Sequence, residues 1–325
     1  MAKYKVYLTD SIFPDQELEK KALAAIDAEI IYASKKDTET FIREGSDCDA
    51  VLVVYAEVER AFIESMSKCK IIVRTGIGYN NIDVNAASER GIFVANIPDY
   101  CFGEVADHAM ALLLSCLRKI VPYNNQVRSG VWNMNNGRPI PRIASLVFGS
   151  YGFGNIAQAT CARAKAFEMD VVAFDPYIPD SVFEKSGVRR ATDWESFLRE
   201  IDVLSVHAPL TDETRGVINK DVFKHMKKTS CLINTARGPL VNEDDLYDAL
   251  VSGEIAMAGL DVLIKEPPNP DLKLLQLENA IVTPHASFYS DEAEIELREK
   301  AVNQIILTLT EGAPKYCVNK KQLGV

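Results

Sequence analysis

Residues 144–175 place the tightest constraint on the fold. An apolar run, "ASLVF", leads into Gly152-x-Gly154-x-x-Ala157. A helical run, "NIAQATCARAKAF", follows, and a second apolar run, "VVAF", ends on Asp175, 21 residues after Gly154. Strand, glycine turn, helix and strand-end acid at this spacing form a dinucleotide fingerprint. Gly152 permits the tight turn, and Gly154 lets the backbone approach a pyrophosphate. The N–H groups at the helix start, on Asn155 and Ile156, meet its charge. Ala157 is small enough for close packing of helix on strand. Asp175 is placed to accept hydrogen bonds from ribose hydroxyls and to repel a 2′-phosphate. Pro176 and Tyr177 follow it, and no Arg or Lys appears before Lys185, which favours NAD over NADP. The bland alternative is a tight turn followed by an ordinary strand-end Asp, and the spacing argues against it.

The rest of the chain has the same alternating character. Ahead of the glycine loop, "KVYLTD", "EIIYAS", "AVLVVY", "KIIVRTG" and "GIFVANI" read as strands, with amphipathic helical stretches such as "DQELEKKALAAI" between them. Five strands of this kind predict a flavodoxin-like parallel sheet with helices on both faces. "EVADHAMALLLSCLRKI" reads as one long, well-buried helix. After the loop "GVWNMNNGRPIPR" a second series begins: "ASLVFGSYG", "DVVAFDP", "DVLSVHAP", "SCLINTARG", "AMAGLDVL" and "AIVTPHA". A final helix starts at Ser290, a good N-cap followed by acidic residues, and stops at Gly312 and Pro314.

Composition excludes little, but it narrows the partners. The net charge of −10 argues against nucleic acid and anionic membrane. No apolar run approaches the roughly 18 residues of a membrane helix. A strand begins at once at "KYKVYLTD", so no signal peptide is expected. The seven cysteines are odd in number and show no metal spacing, which predicts reduced thiols, a cytoplasmic protein and no metal.

In open α/β sheets ligands bind beyond the carboxyl ends of the strands. Three charged groups past the glycine loop stand at such ends: Arg237 after "LINTA", Glu266 after "GLDVLIK" and His285 after "AIVTP". An Arg can pair in bidentate fashion with a carboxylate. A His can exchange a proton with an alcohol or carbonyl oxygen near neutral pH, and an adjacent Glu favours the imidazolium and fixes the ring. Each alone has a structural explanation; beside a dinucleotide fingerprint, the three together point to an oxidoreductase site.

These residues lie in longer motifs: "VRTGIGYNNIDV", "VADHAMALLL", "RSGVW", "GFGNIA", "HAPLTDETRGVI", "NTARGPLVNEDDL", "GLDV", "EPP" and "TPHASFYS". With them the sequence resembles the NAD-dependent D-2-hydroxyacid dehydrogenases over nearly its whole length. The resemblance implies two Rossmann/flavodoxin-like parallel-sheet domains, the NAD-binding domain (103–290) being inserted in a substrate-binding domain (1–102 and 291–325). It implies a hydride transfer between NADH and the C2 carbonyl of a 2-oxo acid. Arg237 then anchors substrate, Glu266 assists, and His285 is the acid/base. The backbone of Ile77 and Gly78 binds the substrate carboxylate, Asp261 holds the nicotinamide carboxamide, and Ala208, Thr235 and Ala236 line the cofactor. A homodimer, packed through the helix at 105–117, is also implied.

Within the family, "HASFYSDEAEIELREKAVNQI" is similar to the C-terminal-binding-protein branch, in which Arg74 would contact the substrate carboxylate. That branch offers a rival reading as an NADH-responsive binding or corepressor-like protein. A hydroxypyruvate or glyoxylate reductase is a third reading and differs only in substrate size. The phosphoglycerate branch fits poorly, because "YAEVER" offers one cation, Arg60, against Glu57 and Glu59, and because no regulatory domain is expected after the final helix. Phe288, three residues past His285, is expected to shelter an apolar substrate side chain. Ser145 stands where a turn glycine is usual, Ser150 and Tyr151 lie in the strand before the loop, and Leu263 replaces a usual Phe; these leave the fit of the cofactor strand open.

Overall fold

Two parallel sheets organise residues 2–325, which the computed structural model describes; one has five strands and the other seven. The chain divides into two units, residues 2–100 with 290–325, and residues 101–289.

In the first unit β1 (Tyr4–Leu8), β2 (Ala28–Tyr32), β3 (Ala50–Val53), β4 (Ile71–Arg74) and β5 (Phe93–Ala95) pair in the order β2-β1-β3-β4-β5. β3 is buried throughout because helices cover both faces, which is why its sequence is a plain apolar run rather than an alternating one. The helices between the strands are α1 (Glu17–Ala24), α2 (Thr38–Gly45), α3 (Arg60–Ser65) and α4 (Val84–Glu89). Asp37 and Asp83 cap α2 and α4 through the N–H groups of Thr40 and Ala86. Tyr7, Phe41 and Phe62 meet edge-on and tilted in the core beside α2 and α3.

The second unit opens with α5 (Phe102–Leu117) and α6 (Ile120–Arg128). The sequence reads as one helix through Ile120, whereas the structure breaks it at Lys119, whose φ is 56°. Pro122 explains the break: it has no N–H for the carbonyl of residue 118, so it is tolerated only in the first turn of a new helix. The strands β6 (Val147–Tyr151), β7 (Asp170–Phe174), β8 (Arg189–Ala191), β9 (Val203–Val206), β10 (Cys231–Asn234), β11 (Met257–Leu260) and β12 (Ala280–Val282) take the order β12-β11-β10-β9-β6-β7-β8. β8 is missing from the sequence reading. It is a three-residue edge strand of Arg-Arg-Ala, too short and too charged to show an apolar pattern. The connecting helices are α7 (Asn155–Ala166), α8 (Asp180–Ser186), α9 (Trp194–Glu200), α10 (Lys220–His225) and α11 (Glu243–Ser252).

Strand order reverses between β1 and β3 in one sheet and between β6 and β9 in the other. Crevices for ligands open at such points. Among the described residues no helix is long and apolar enough to cross a membrane.

The last long helix, α12 (Asp291–Glu311), belongs to the first unit. Ser290 caps it through Ala293 N–H, and Gly312 ends it in the left-handed region. A buried ion pair fixes it to α1: Arg298 gives Nε and Nη2 to the two oxygens of Glu19 at 2.7 and 2.8 Å, and the guanidinium lies 4.8 Å from the Phe13 ring centroid. Glu19 is 2% exposed and Arg298 6%. Removing one partner of such a pair strands a buried charge. Arg298→Met is therefore expected to cost about 3–5 kcal/mol in urea unfolding, and Glu19→Leu/Arg298→Met together to recover much of it. Equal losses in the single and double variants would show that the pair is not the source.

Candidate functional site

The glycine loop follows β6. Gly152 has a φ of +94°, and a Cβ there would lie 2.7 Å from the Ala208 backbone N, so only glycine fits. Gly154 is the N-cap of α7 without a side-chain cap, and a Cβ on it would point into open space. The N–H groups of Asn155 and Ile156 meet no acceptor among the described residues. Asp175, at the end of β7, accepts from Phe153 N–H at 2.8 Å, and from Tyr177 and Ile178 N–H at 2.8 and 3.2 Å. Its carboxylate thus ties the glycine loop to the next strand. Ser150, unexpected in this strand, donates to Gly152 C=O at 2.7 Å and braces the loop.

Ala208 follows β9. Its neighbour His207 meets Ser205 Oγ at 2.8 Å, and burial pushes its pKa down to about 4, so the ring is neutral. Thr235 and Ala236 follow β10. The Thr235 hydroxyl is buried and has no partner among the described residues. An orphaned buried hydroxyl suits a polar ligand. With the open space at Gly154, it makes this unit fit a bound dinucleotide. Asn234 shapes the turn that follows: its Oδ1 accepts from Ala236 N–H, and its Nδ2 donates to Arg237 C=O, both at 3.0 Å. Arg237 Nη1 donates to Ala236 C=O at 2.5 Å.

Asp261, at the end of β11, is 1% exposed. Its Oδ1 accepts from Thr283 Oγ1 at 2.6 Å and Ala286 N–H at 2.9 Å, and its Oδ2 from Ser287 N–H at 2.9 Å. Its carbonyl accepts from His285 N–H at 2.8 Å. His285 has a φ of 53°, a left-handed conformation that costs a non-glycine residue about 1–2 kcal/mol. These bonds hold it there. His285 Nδ1 meets Glu266 Oε2 at 2.6 Å, and Glu266 Oε1 accepts from Leu263 N–H at 2.9 Å. Burial works against ionisation of Glu266, but the hydrogen bond and charge of His285, the Leu263 N–H and the Arg237 guanidinium outweigh it. They hold the carboxyl below its ordinary value. Phe288 is half-buried and meets the His285 ring edge-on, with centroids 6.5 Å apart.

The structure therefore brings Glu266, His285 and Phe288 together, with Arg237 close enough to act on Glu266. Sequence reasoning passed over His108 and Thr283. His108 Nε2 lies 2.9 Å from Thr283 Oγ1 and 3.5 Å from Asp261 Oδ1. A polar ring inside the apolar α5 pattern was the available signal.

Arg74, Ile77 and Gly78 belong to the other unit. Arg74 ends β4, and its Nη1 donates to Thr75 C=O at 3.0 Å. The loop beyond is held by Asn96 Nδ2 on Ile77 C=O at 2.6 Å and Ile97 N–H on Gly76 C=O at 2.9 Å. The Ile77 and Gly78 N–H groups meet no acceptor among the described residues.

The sequence has relatives of known activity. It is 35% identical to hydroxypyruvate reductase of Thermotoga maritima, covering 94% of this chain and 99% of the relative. It is 37% identical to D-3-phosphoglycerate dehydrogenase of Archaeoglobus fulgidus, covering 85% of this chain but 52% of the relative. The chain thus spans about half the length of the phosphoglycerate dehydrogenases it matches. A glyoxylate reductase structure from Paecilomyes thermophila superposes with a TM-score of 0.87 at 26% identity, covering 99% of this chain and 100% of that one. Residues 110–287 match the model of the D-isomer specific 2-hydroxyacid dehydrogenase NAD-binding domain. The chain belongs to the D-isomer specific 2-hydroxyacid dehydrogenase family, and its second unit carries that family's NAD-binding domain.

Proposed function

We propose that the protein is an NAD-dependent 2-hydroxyacid dehydrogenase that reduces a 2-oxo acid. The observation that carries this reading is the His285–Glu266 pair at 2.6 Å on a turn fixed by Asp261. Residues 103–290 are the cofactor domain, and residues 1–102 with 291–325 are the substrate domain. Gly152, Gly154, Asn155 and Ile156 hold the pyrophosphate, and Asp175 takes the ribose hydroxyls. Ala208, Thr235, Ala236 and Asp261 take the nicotinamide half; Asp261 has accepting capacity left beyond its three bonds. When bound, NADH supplies the hydride. His285, as imidazolium, gives its proton to the carbonyl oxygen of the substrate, and Glu266 stabilises that charged ring. Arg237 draws the C2 oxygen and carboxylate into place. Arg74 and the N–H groups of Ile77 and Gly78 receive the carboxylate. The protein works in the cytoplasm; its seven cysteines are not disulfide-bonded. It forms a homodimer packed through the helix at 105–117.

The likeness to the C-terminal-binding-protein branch rests on residues 285–305. The relatives named as hydroxypyruvate reductase and glyoxylate reductase favour turnover over a binding role, and they keep a small substrate as the second reading. Phe288 beside His285 favours a larger apolar one.

In steady-state assays with NADH and a panel of 2-oxo acids, His285→Asn is expected to lower kcat by about 10²–10⁴-fold. Glu266 is depressed below its ordinary pKa, so it remains an anion at neutral pH and its support of the imidazolium is lost only at acid pH. Glu266→Gln removes that anion, and the alkaline limb of the rate profile should move to lower pH. A variant profile superimposed on the wild type would dissolve the pair's role.

Asp175→Ala should weaken NADH binding in fluorescence titrations and narrow the preference for NADH over NADPH. Wild-type protein that binds both equally would contradict the ribose assignment.

Each buried methylene in an apolar pocket is worth roughly 1–3 kcal/mol of discrimination. We expect 2-oxo-4-methylthiobutanoate to exceed glyoxylate in kcat/KM and Phe288→Ala to narrow that ratio. The reverse preference would assign the protein to glyoxylate or hydroxypyruvate reduction.

A further inference from the structure

We propose that Asp10 and Tyr55 are positioning residues that hold the Arg74 guanidinium where it receives the substrate carboxylate; this rests on the function proposed above.

Asp10 stands just past β1 and is 5% exposed. Its carboxylate reaches across the point where strand order reverses and takes the loop after β3. Oδ1 accepts from Val54 N–H at 2.9 Å, and Oδ2 from Tyr55 and Ala56 N–H at 2.8 and 3.2 Å. Thr9 Oγ1 adds a fourth bond at 3.0 Å. The other edge of the same loop is held by Asn81, whose Nδ2 donates to Val54 C=O at 3.3 Å and Ala56 C=O at 2.8 Å. Three consecutive N–H groups bound by one side chain and two carbonyls bound by another brace the loop from both edges.

That bracing sets Tyr55. Val53 is the register partner of Arg74 on the adjacent strand, so a residue two places past Val53 is carried alongside the end of β4. The Arg74 guanidinium lies 5.7 Å from the Tyr55 ring centroid. Gly76 completes the frame: a Cβ there would fall 1.2 Å from Arg74 Nη1, so the guanidinium occupies space that any other residue would fill. An arginine has several rotatable bonds, and fixing it before binding removes an entropic cost that the ligand would otherwise bear.

The test is oxamate, an unreactive isostere of a 2-oxo acid, titrated into the NADH complex alongside KM and kcat measurements. Tyr55→Leu removes the ring and should weaken oxamate and raise KM by about 3- to 30-fold, with kcat and NADH affinity retained. Tyr55→Phe keeps the ring and should restore both. Asp10→Asn turns an NH₂ toward N–H donors and should act like Tyr55→Leu. Oxamate affinity and KM unchanged in Tyr55→Leu and Asp10→Asn would overturn the proposal, including the case in which only thermal stability falls. So would a Tyr55→Phe defect as large as that of Tyr55→Leu. If wild-type protein binds NADH but neither oxamate nor any 2-oxo acid, the carboxylate site itself fails, and this inference falls with it.

Discussion

The buried carboxylate of Asp261 is the contact on which the candidate site depends. It sits in the core at the end of β11, and among the described residues it meets no Lys or Arg in an ion pair, only the approach of the His108 ring. An ion there is tolerated only because hydrogen bonds replace its lost water. Those bonds come from Thr283, Ala286 and Ser287, so the residues that satisfy Asp261 are the ones that flank His285. The left-handed conformation of His285 follows from this constraint. Loss of the carboxylate would release the turn and also the strain it stores.

The same device recurs. Asp10 after β1 gathers the N–H groups of residues 54–56, and Asp175 after β7 gathers those of Phe153, Tyr177 and Ile178. In each case a carboxylate at a strand end binds the backbone of another loop and so fixes a crossing that the sheet alone leaves free. A parallel sheet sets the strands through its ladder, but the loops beyond the carboxyl ends have no ladder. Charged acceptors make stronger bonds to N–H than neutral ones do, and a short Asp side chain leaves little freedom in where the loop can go. For Asp175 this means that one residue shapes the glycine loop and is also proposed to read the ribose.

The architecture was legible because buried parallel strands read as apolar runs and because glycine loops keep their spacing. Gly152 and Asp175 could be found from the chain, since only glycine fits against Ala208 and the acid lies at the next strand end. Glu266 and His285 could be paired as chemistry, but not as a distance, because 19 residues and a strand separate them. What escaped has a common cause. β8 is an edge strand whose residues obey no burial pattern. The break at Lys119 is a backbone conformation, and the proline that forces it stands three residues on. Asp10 in "YLTD" looks like any strand-end acid until its partners, 44 to 46 residues away, are known. Side chains that work by holding distant backbone leave no local periodicity.

A net charge of −10 opposes an anionic dinucleotide and the proposed 2-oxo acid alike. Surface charges more than a Debye length away, about 8 Å at physiological salt, are largely screened. The field at a loop crevice is then set by nearby groups. In the second unit these are the open N–H groups at the start of α7 and the Arg237 guanidinium; in the first they are Arg74 and the N–H groups of Ile77 and Gly78. Three acids at strand ends, Asp10, Asp175 and Asp261, are turned largely onto backbone donors, which lowers the negative potential they project, while Glu266 is met by His285. The strand-end aspartates therefore do two things at once. They fix the loops, and by taking their hydrogen bonds from the protein they leave the proposed anion recognition to the arginines and the loop amides.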